Sequence, residues 1–214
     1  MFETVRIVLL LILLGIVSYF DIKQREVSDY WWLVFGIAGI GIYFFDWKEH
    51  FSYDILTIII TLVVASLMWK FFPIGKADIL AFVCIGVLLP TLGGFIMVPI
   101  VLLAGSAVIA GISTVSYNVV LNTKDGIAMR RSPFFAFDES IIRKLLAFLM
   151  IHKKRDREKF SICAEQFIDG KKKFCLGIKN PKSEFTKDGV FVECGVPLLP
   201  YMLAVCVLLV LAIL

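Results

Sequence analysis

Two apolar runs, Val5–Phe20 and Val196–Leu214, each approach the length needed to cross a bilayer. A segment in hydrocarbon must satisfy its own backbone polar groups, which a helix does within one segment. Further apolar runs lie between these two, and 59% of the 214 residues are hydrophobic against 19% charged. Soluble domains average about 45–50% apolar and about 25% charged residues. Disorder, a collagen-like fibre and a water-soluble single domain are excluded together. The first run carries Arg6 near its start and Lys23 and Arg25 after it. It has no small-residue cleavage site behind it, so it reads as a retained transmembrane helix rather than a signal peptide.

Six spans are expected: about Val5–Phe20, Tyr30–Phe45, Ile55–Phe72, Ala77–Leu89, Phe95–Leu121 and Val196–Leu214. The fourth is short for a hydrocarbon layer of about 30 Å at about 1.5 Å per residue. Pro90 and Gly93-Gly94 follow it, which suggests irregular backbone covered by protein. The expected fold class is an α-helical polytopic membrane protein with six transmembrane helices. A small cytoplasmic α+β insert precedes the last helix. The organisation is a membrane domain over 1–121, an insert over 122–195, and a returning helix over 196–214.

The insert holds sixteen of the 22 Lys and Arg residues and ten of the 18 Asp and Glu residues. Asp138 ahead of Ile141, Ile142, Leu145, Leu146 and Leu149 predicts a capped amphipathic helix. Asp169-Gly170 and Asp188-Gly189 predict two antiparallel hairpins. Placing the loop with Lys23 and Arg25 in the cytoplasm puts 20 of the 22 basic residues inside, leaving Arg6 and Lys48 outside. Both ends of the chain then face out. Cys163, Cys175 and Cys194 fall on the reducing side, while Cys84 and Cys206 lie in apolar runs and read as packing residues.

This topology brings Asp21, at the end of the first span, and Asp78, at the start of the fourth, to the same side of the membrane. Two carboxylates at one depth can share a proton, because neighbouring like charges resist joint ionisation. Such a pair can activate water and protonate the carbonyl oxygen of an amide without a metal, a cofactor or a covalent intermediate. Gly75 and Ala77 are small enough to let backbone or substrate approach Asp78. The plain alternative is that Asp21 is an interfacial residue and Asp78 a first-turn acid favoured by the helix dipole. Spacing leaves both readings open.

The residues around these acids resemble the paired motifs of archaeal preflagellin peptidases and type IV prepilin peptidases, membrane aspartic proteases of the GxGD type. Asp21, Lys23 and Val27-Ser28-Asp29 correspond to the first motif, with Ser28-Asp29 in place of Pro-Asn. Gly75-Lys76-Ala77-Asp78 corresponds to the second, with Ala77 in place of a glycine. The resemblance implies an Asp21/Asp78 catalytic dyad and an aspartic endopeptidase needing no cofactor or metal. Its partners would be preflagellin or pilin-like precursors, cut after a short basic leader at the cytoplasmic face. An intramembrane aspartic protease and a proton-coupled transporter are the alternative readings.

Glu26 and Asp29 read as a solvated loop charge and a cap for the second span. Asp46, Glu49, His50 and Asp54 read as a hydrated outer loop, and His152 as a residue at a helix end. Lys171-Lys172-Lys173 reads as a solvated turn, with contact to anionic lipid headgroups as the sharper alternative. No nucleic-acid pattern is present: the insert's charge is mixed and its aromatics are not interleaved with basic residues.

Overall fold

The computed structural model describes residues 2–45, 51–71, 75–95, 97–130, 132–155, 161–168, 171–174 and 190–213. The protein is mostly helical, with small antiparallel sheets. The helices are α1 (Phe2–Gln24), α2 (Asp29–Phe45), α3 (Phe51–Phe71), α4 (Lys76–Leu88), α5 (Val98–Met129), α6 (Ile141–Met150) and α7 (Leu198–Ile213). The strands are β1 (His152–Lys153), β2 (Ser161–Cys163), β3 (Glu165–Ile168), β4 (Lys171–Phe174) and β5 (Phe191–Cys194). Phe2–Gln24, Ser52–Phe71 and Val98–Met129 are long and apolar enough to cross a membrane, and α7 is a shorter apolar helix. This is a membrane protein. The chain divides into two compact units, Met1–Ala110 with Pro197–Leu214, and Gly111–Val196.

In the first unit, Leu10, Leu13, Leu14 and Val17 line one face of α1 at helical spacing and are fully buried. They share a core with Leu199, Met202, Cys206 and Val210 of α7 and with Ile85 and Leu88 of α4. Helix α4 spans only about 20 Å at about 1.5 Å per residue, and Ile79, Ala81, Phe82, Cys84, Ile85, Gly86 and Leu88 are all buried. Gly86 lets α3 come close: a Cβ there would lie 2.7 Å from Thr61 Cγ2. Lipid tails supply no hydrophobic drive between helices, so small residues and close contact carry such interfaces.

The short helix is completed by a tight turn. Leu92 and Phe95 exchange backbone hydrogen bonds of 3.0 and 2.7 Å across Gly93 and Gly94, whose φ values are +55° and +80°. Positive φ at both central positions is the hairpin geometry that glycine adopts freely. Leu89, Pro90 and Leu92 are buried on the way into it, whereas Gly93, Gly94 and Phe95 are exposed, so the irregular backbone anticipated there is covered by protein only up to the turn.

The second unit has a phenylalanine core. Phe137 stacks on Phe174 at 4.2 Å between ring centroids, and Phe134 lies 4.8 Å from Phe191. Strand β5 pairs antiparallel with both β1 and β2, and β3 pairs antiparallel with β4. The first expected hairpin is thus present as β3–β4, with its Asp169-Gly170 turn outside the described residues. The first strand and turn of the second hairpin also lie outside them. His152 is buried and its Nδ1 is 2.8 Å from Asn118 Oδ1. Helix α6 is capped by Ser140, whose Oγ accepts from the Arg143 amide at 3.4 Å, rather than by Asp138.

Candidate active site

Helix α1 ends just past Asp21. The amide of Arg25 donates to the Asp21 carbonyl at 3.2 Å, and Arg25 itself takes φ +57°. This is the left-handed helix cap that glycine usually provides. The chain then reverses into α2, where the backbone amide of Tyr30 donates to Ser28 Oγ at 3.4 Å. Ser28 therefore serves as the cap that its side chain suits.

The second segment starts at Gly75, the N-cap of α4, in extended conformation (φ −61°, ψ 140°). Its carbonyl accepts from the amides of Asp78 and Ile79 at 3.1 and 3.3 Å. Asp78 is thus the third residue of the first turn, where the helix dipole favours a carboxylate and the side chain reaches back toward the cap. A Cβ on Gly75 would lie 3.1 Å from Asp78 Oδ2, so the missing side chain leaves the space that this carboxylate uses.

Asp21, Arg25, Glu26, Val27, Asp29, Gly75, Lys76, Ala77 and Asp78 line one open cleft of about 520 Å³. The structure therefore brings Asp21 and Asp78 together, although they lie in separate helices. They are near enough for their charges to act on each other. Both are half-buried. Asp21 Oδ2 is buried without a hydrogen-bond partner among the described residues. The Leu199 backbone amide, in the first turn of α7, donates toward the Asp21 carboxyl group. Pro197 precedes that turn and Pro200 lies within it, and a helix start needs no amide hydrogen from proline.

The remaining residues of the two motifs divide. Gly75, Lys76 and Ala77 line the cleft, whereas Lys23 is not among its lining residues. Lys23 instead donates to the Tyr19 hydroxyl at 3.1 Å, one turn back on α1. Lys76 forms an ion pair with Asp29 at the start of α2, tying the two motif segments together. Asp29 and Glu26, read from sequence as cap and loop charge, both line the cleft.

Arg25 was not singled out from sequence. Its charge acts on both Asp21 and Asp78, and it lines the same cleft. The signal available was its place four residues after Asp21, at a helix end. A lone arginine there looks like ordinary inner-side charge, and only the backbone turn aims it inward. Among the described residues no group of three or more His, Cys, Asp or Glu side chains could hold a metal ion.

A two-carboxylate cleft with small residues beside one acid and a guanidinium near both suits acid–base chemistry on a peptide that lies along it. No curated protein and no solved structure matches the chain. The sequence profile of the type IV leader peptidase family matches residues 8–115, a stretch that includes both aspartates and makes up half of the chain. On that match the chain belongs to the type IV leader peptidase family and is a membrane peptidase.

Proposed function

We propose that the protein is an aspartic endopeptidase of the membrane that removes the short basic leader from preflagellins and related type IV pilin-like precursors. Asp21 and Asp78 are its catalytic pair. The observation that carries this reading is that both carboxylates line one cleft, with Gly75, Lys76 and Ala77 around Asp78. Family membership supplies the peptidase chemistry in outline.

The pair works with one proton between them. A water held by the two carboxylates attacks the scissile carbonyl carbon as it gives a proton to the ionised one. The protonated partner donates its proton to the carbonyl oxygen. The resulting diol collapses as the first carboxyl passes its proton to the amide nitrogen and the carbon–nitrogen bond breaks. The second carboxylate takes back a proton from the diol hydroxyl, which restores the starting state. No metal or cofactor takes part.

The remaining cleft residues hold this pair in place. Lys76 and Asp29 fix α2 to α4, and Ala77 keeps the approach to Asp78 narrow but open. Four acids, Asp21, Glu26, Asp29 and Asp78, line the cleft with two bases, Arg25 and Lys76, a balance that favours a basic leader. In this reading the chain crosses the membrane six times, with the cleft at the cytoplasmic face, where the leader lies, and both ends of the chain outside. The distribution of basic residues supports that orientation.

The test is cleavage. The purified chain in lipid vesicles should release the leader from a precursor with a basic leader and an apolar helix behind it. The same precursor with its leader lysines and arginines changed to glutamine should be cut poorly. Equal cleavage of both precursors would overturn the leader specificity, and cleavage of neither would overturn the substrate class.

A further inference from the structure

Helix α6 turns its apolar side away from its own unit. At about 100° per residue, Ile141, Leu145, Leu149, Ile142 and Leu146 fall within one arc, and Ala147 falls opposite them. Ala147 is the buried residue of this helix and joins the phenylalanine core. On the other side, Ile141, Ile142 and Leu145 are 86%, 72% and 62% exposed. An amphipathic helix ordinarily hides such a stripe. This one docks through Ala147 and the partly buried Phe148 and presents the stripe outward.

The place where α6 is held bears on what covers it. Asn118 Nδ2 of α5 donates to the Leu149 carbonyl at 2.9 Å, and Asn122 Nδ2 donates to the Phe148 and Ile151 carbonyls at 2.9 and 2.7 Å. These amides satisfy the last carbonyls of α6, which would otherwise be unpaired at the helix end. Both asparagines are fully buried. They also mark a level in α5, which is long and apolar enough to cross a membrane. From Phe95 through Tyr117 no charged or amide side chain occurs, and Asn118, Asn122, Lys124 and Asp125 then follow. Hydrocarbon depth ends where that apolar stretch ends. The end of α6 is therefore fastened at the membrane–water boundary.

We infer that α6 is an in-plane membrane helix that sinks its Ile141, Ile142 and Leu145 face into the lipid surface. Arg143 and Lys144 border this face and extend toward lipid phosphates along their aliphatic stems. The bilayer thus completes the packing of a helix that the insert leaves half-covered. This inference rests on the membrane character of the chain and not on its peptidase chemistry.

The test uses the full-length protein in vesicles of phosphatidylcholine with a minority of phosphatidylglycerol. Nitroxides are placed on Ile142→Cys, Leu145→Cys and Arg143→Cys, one at a time. Cys163, Cys175 and Cys194 are changed to Ser in the background, and the buried Cys84 and Cys206 are kept. Labels at 142 and 145 should meet oxygen but be shielded from a polar nickel chelate, at a depth of about 5–10 Å. The label at 143 should be open to the chelate. If the chelate reaches all three equally, the face is in water and the inference fails. If neither quencher reaches 142 and 145, protein covers the face, from this chain or a second copy, and the inference fails again. The unsubstituted protein gives an independent reading: a lipid with a photoactivatable acyl chain should label the tryptic peptide Leu145–Lys153. Labelling of α1 and α5 without that peptide would overturn the proposal.

Discussion

The carboxylate of Asp78 occupies the space that a side chain at Gly75 would need, with 3.1 Å between its Oδ2 and a Cβ placed on that glycine. Gly75 has φ −61°, a conformation that alanine adopts without strain. Its conservation of space, and not of backbone freedom, is what the site uses. Gly75→Ala should therefore leave thermal stability unchanged or slightly higher, while cleavage falls by about tenfold or more as Asp78 shifts. Parallel melting curves and initial rates check this. A wild-type rate in Gly75→Ala would show that the position of Asp78 is not limiting.

Arg25 combines a strained backbone with a charge shared by both acids. A left-handed conformation costs a non-glycine residue about 1 kcal/mol. Arg25→Gly should relieve that strain and raise stability by a similar amount, yet lower kcat. Arg25→Lys should keep part of the activity. If Arg25→Gly were both more stable and fully active, the residue would serve as a helix cap alone.

At the other end of α1, the buried Arg6 lies 3.9 Å from Asp54 and 4.0 Å from the centre of the Tyr43 ring. Thr91 Oγ1 donates to Asp54 Oδ1 at 2.7 Å. Asp54, expected in a hydrated loop, is thus drawn into the bundle by α3, and Asp46, Glu49 and His50 lie outside the described residues. Removing one partner of a buried ion pair costs about 3–5 kcal/mol. Asp54→Leu should lower Tm accordingly, and Arg6→Met with Asp54→Leu should recover much of the loss. Melting in detergent or nanodiscs gives the comparison.

In the insert, Asp138 Oδ2 is 2.8 Å from Lys171 Nζ. The hydrogen bond and charge of Lys171 hold the Asp138 carboxyl below the usual carboxylate range. A carboxyl with a lowered folded value adds stability at neutral pH and loses it as pH falls through that value. Lys171→Met should move the Asp138 titration up toward the ordinary carboxylate range, read by carboxyl-carbon NMR, with the charges of Lys173 and Lys144 still acting on it. Because the pair is exposed, high salt should shrink the difference. An unchanged titration in Lys171→Met would remove Lys171 as the cause.

The helices were legible in the sequence because length and uninterrupted apolarity are local properties. Val5–Phe20 lies within α1, and Tyr30–Phe45 differs from α2 by one residue. Asp21 and Asp78 were legible as a pair through topology and motif, since each marks a helix end that the sequence itself announces. Arg25 was not, because its inward aim depends on a left-handed φ that no residue type signalled. Nor was the direction of α6. Its periodicity identified the stripe correctly, but periodicity does not say whether the insert or something else covers it. The cap also moved from Asp138 to Ser140, a local choice that depends on where the preceding strand-like segment releases the chain.

The central claim is tested most directly by measuring leader release from a preflagellin-type precursor by wild type, Asp21→Asn and Asp78→Asn in the same vesicles. Each asparagine preserves shape and removes the proton-transfer group. Both variants should lose at least about a hundredfold in rate, and the double variant should be no slower than the worse single one, because the acids act as a unit. Leader release at the wild-type rate by either folded variant would contradict the account.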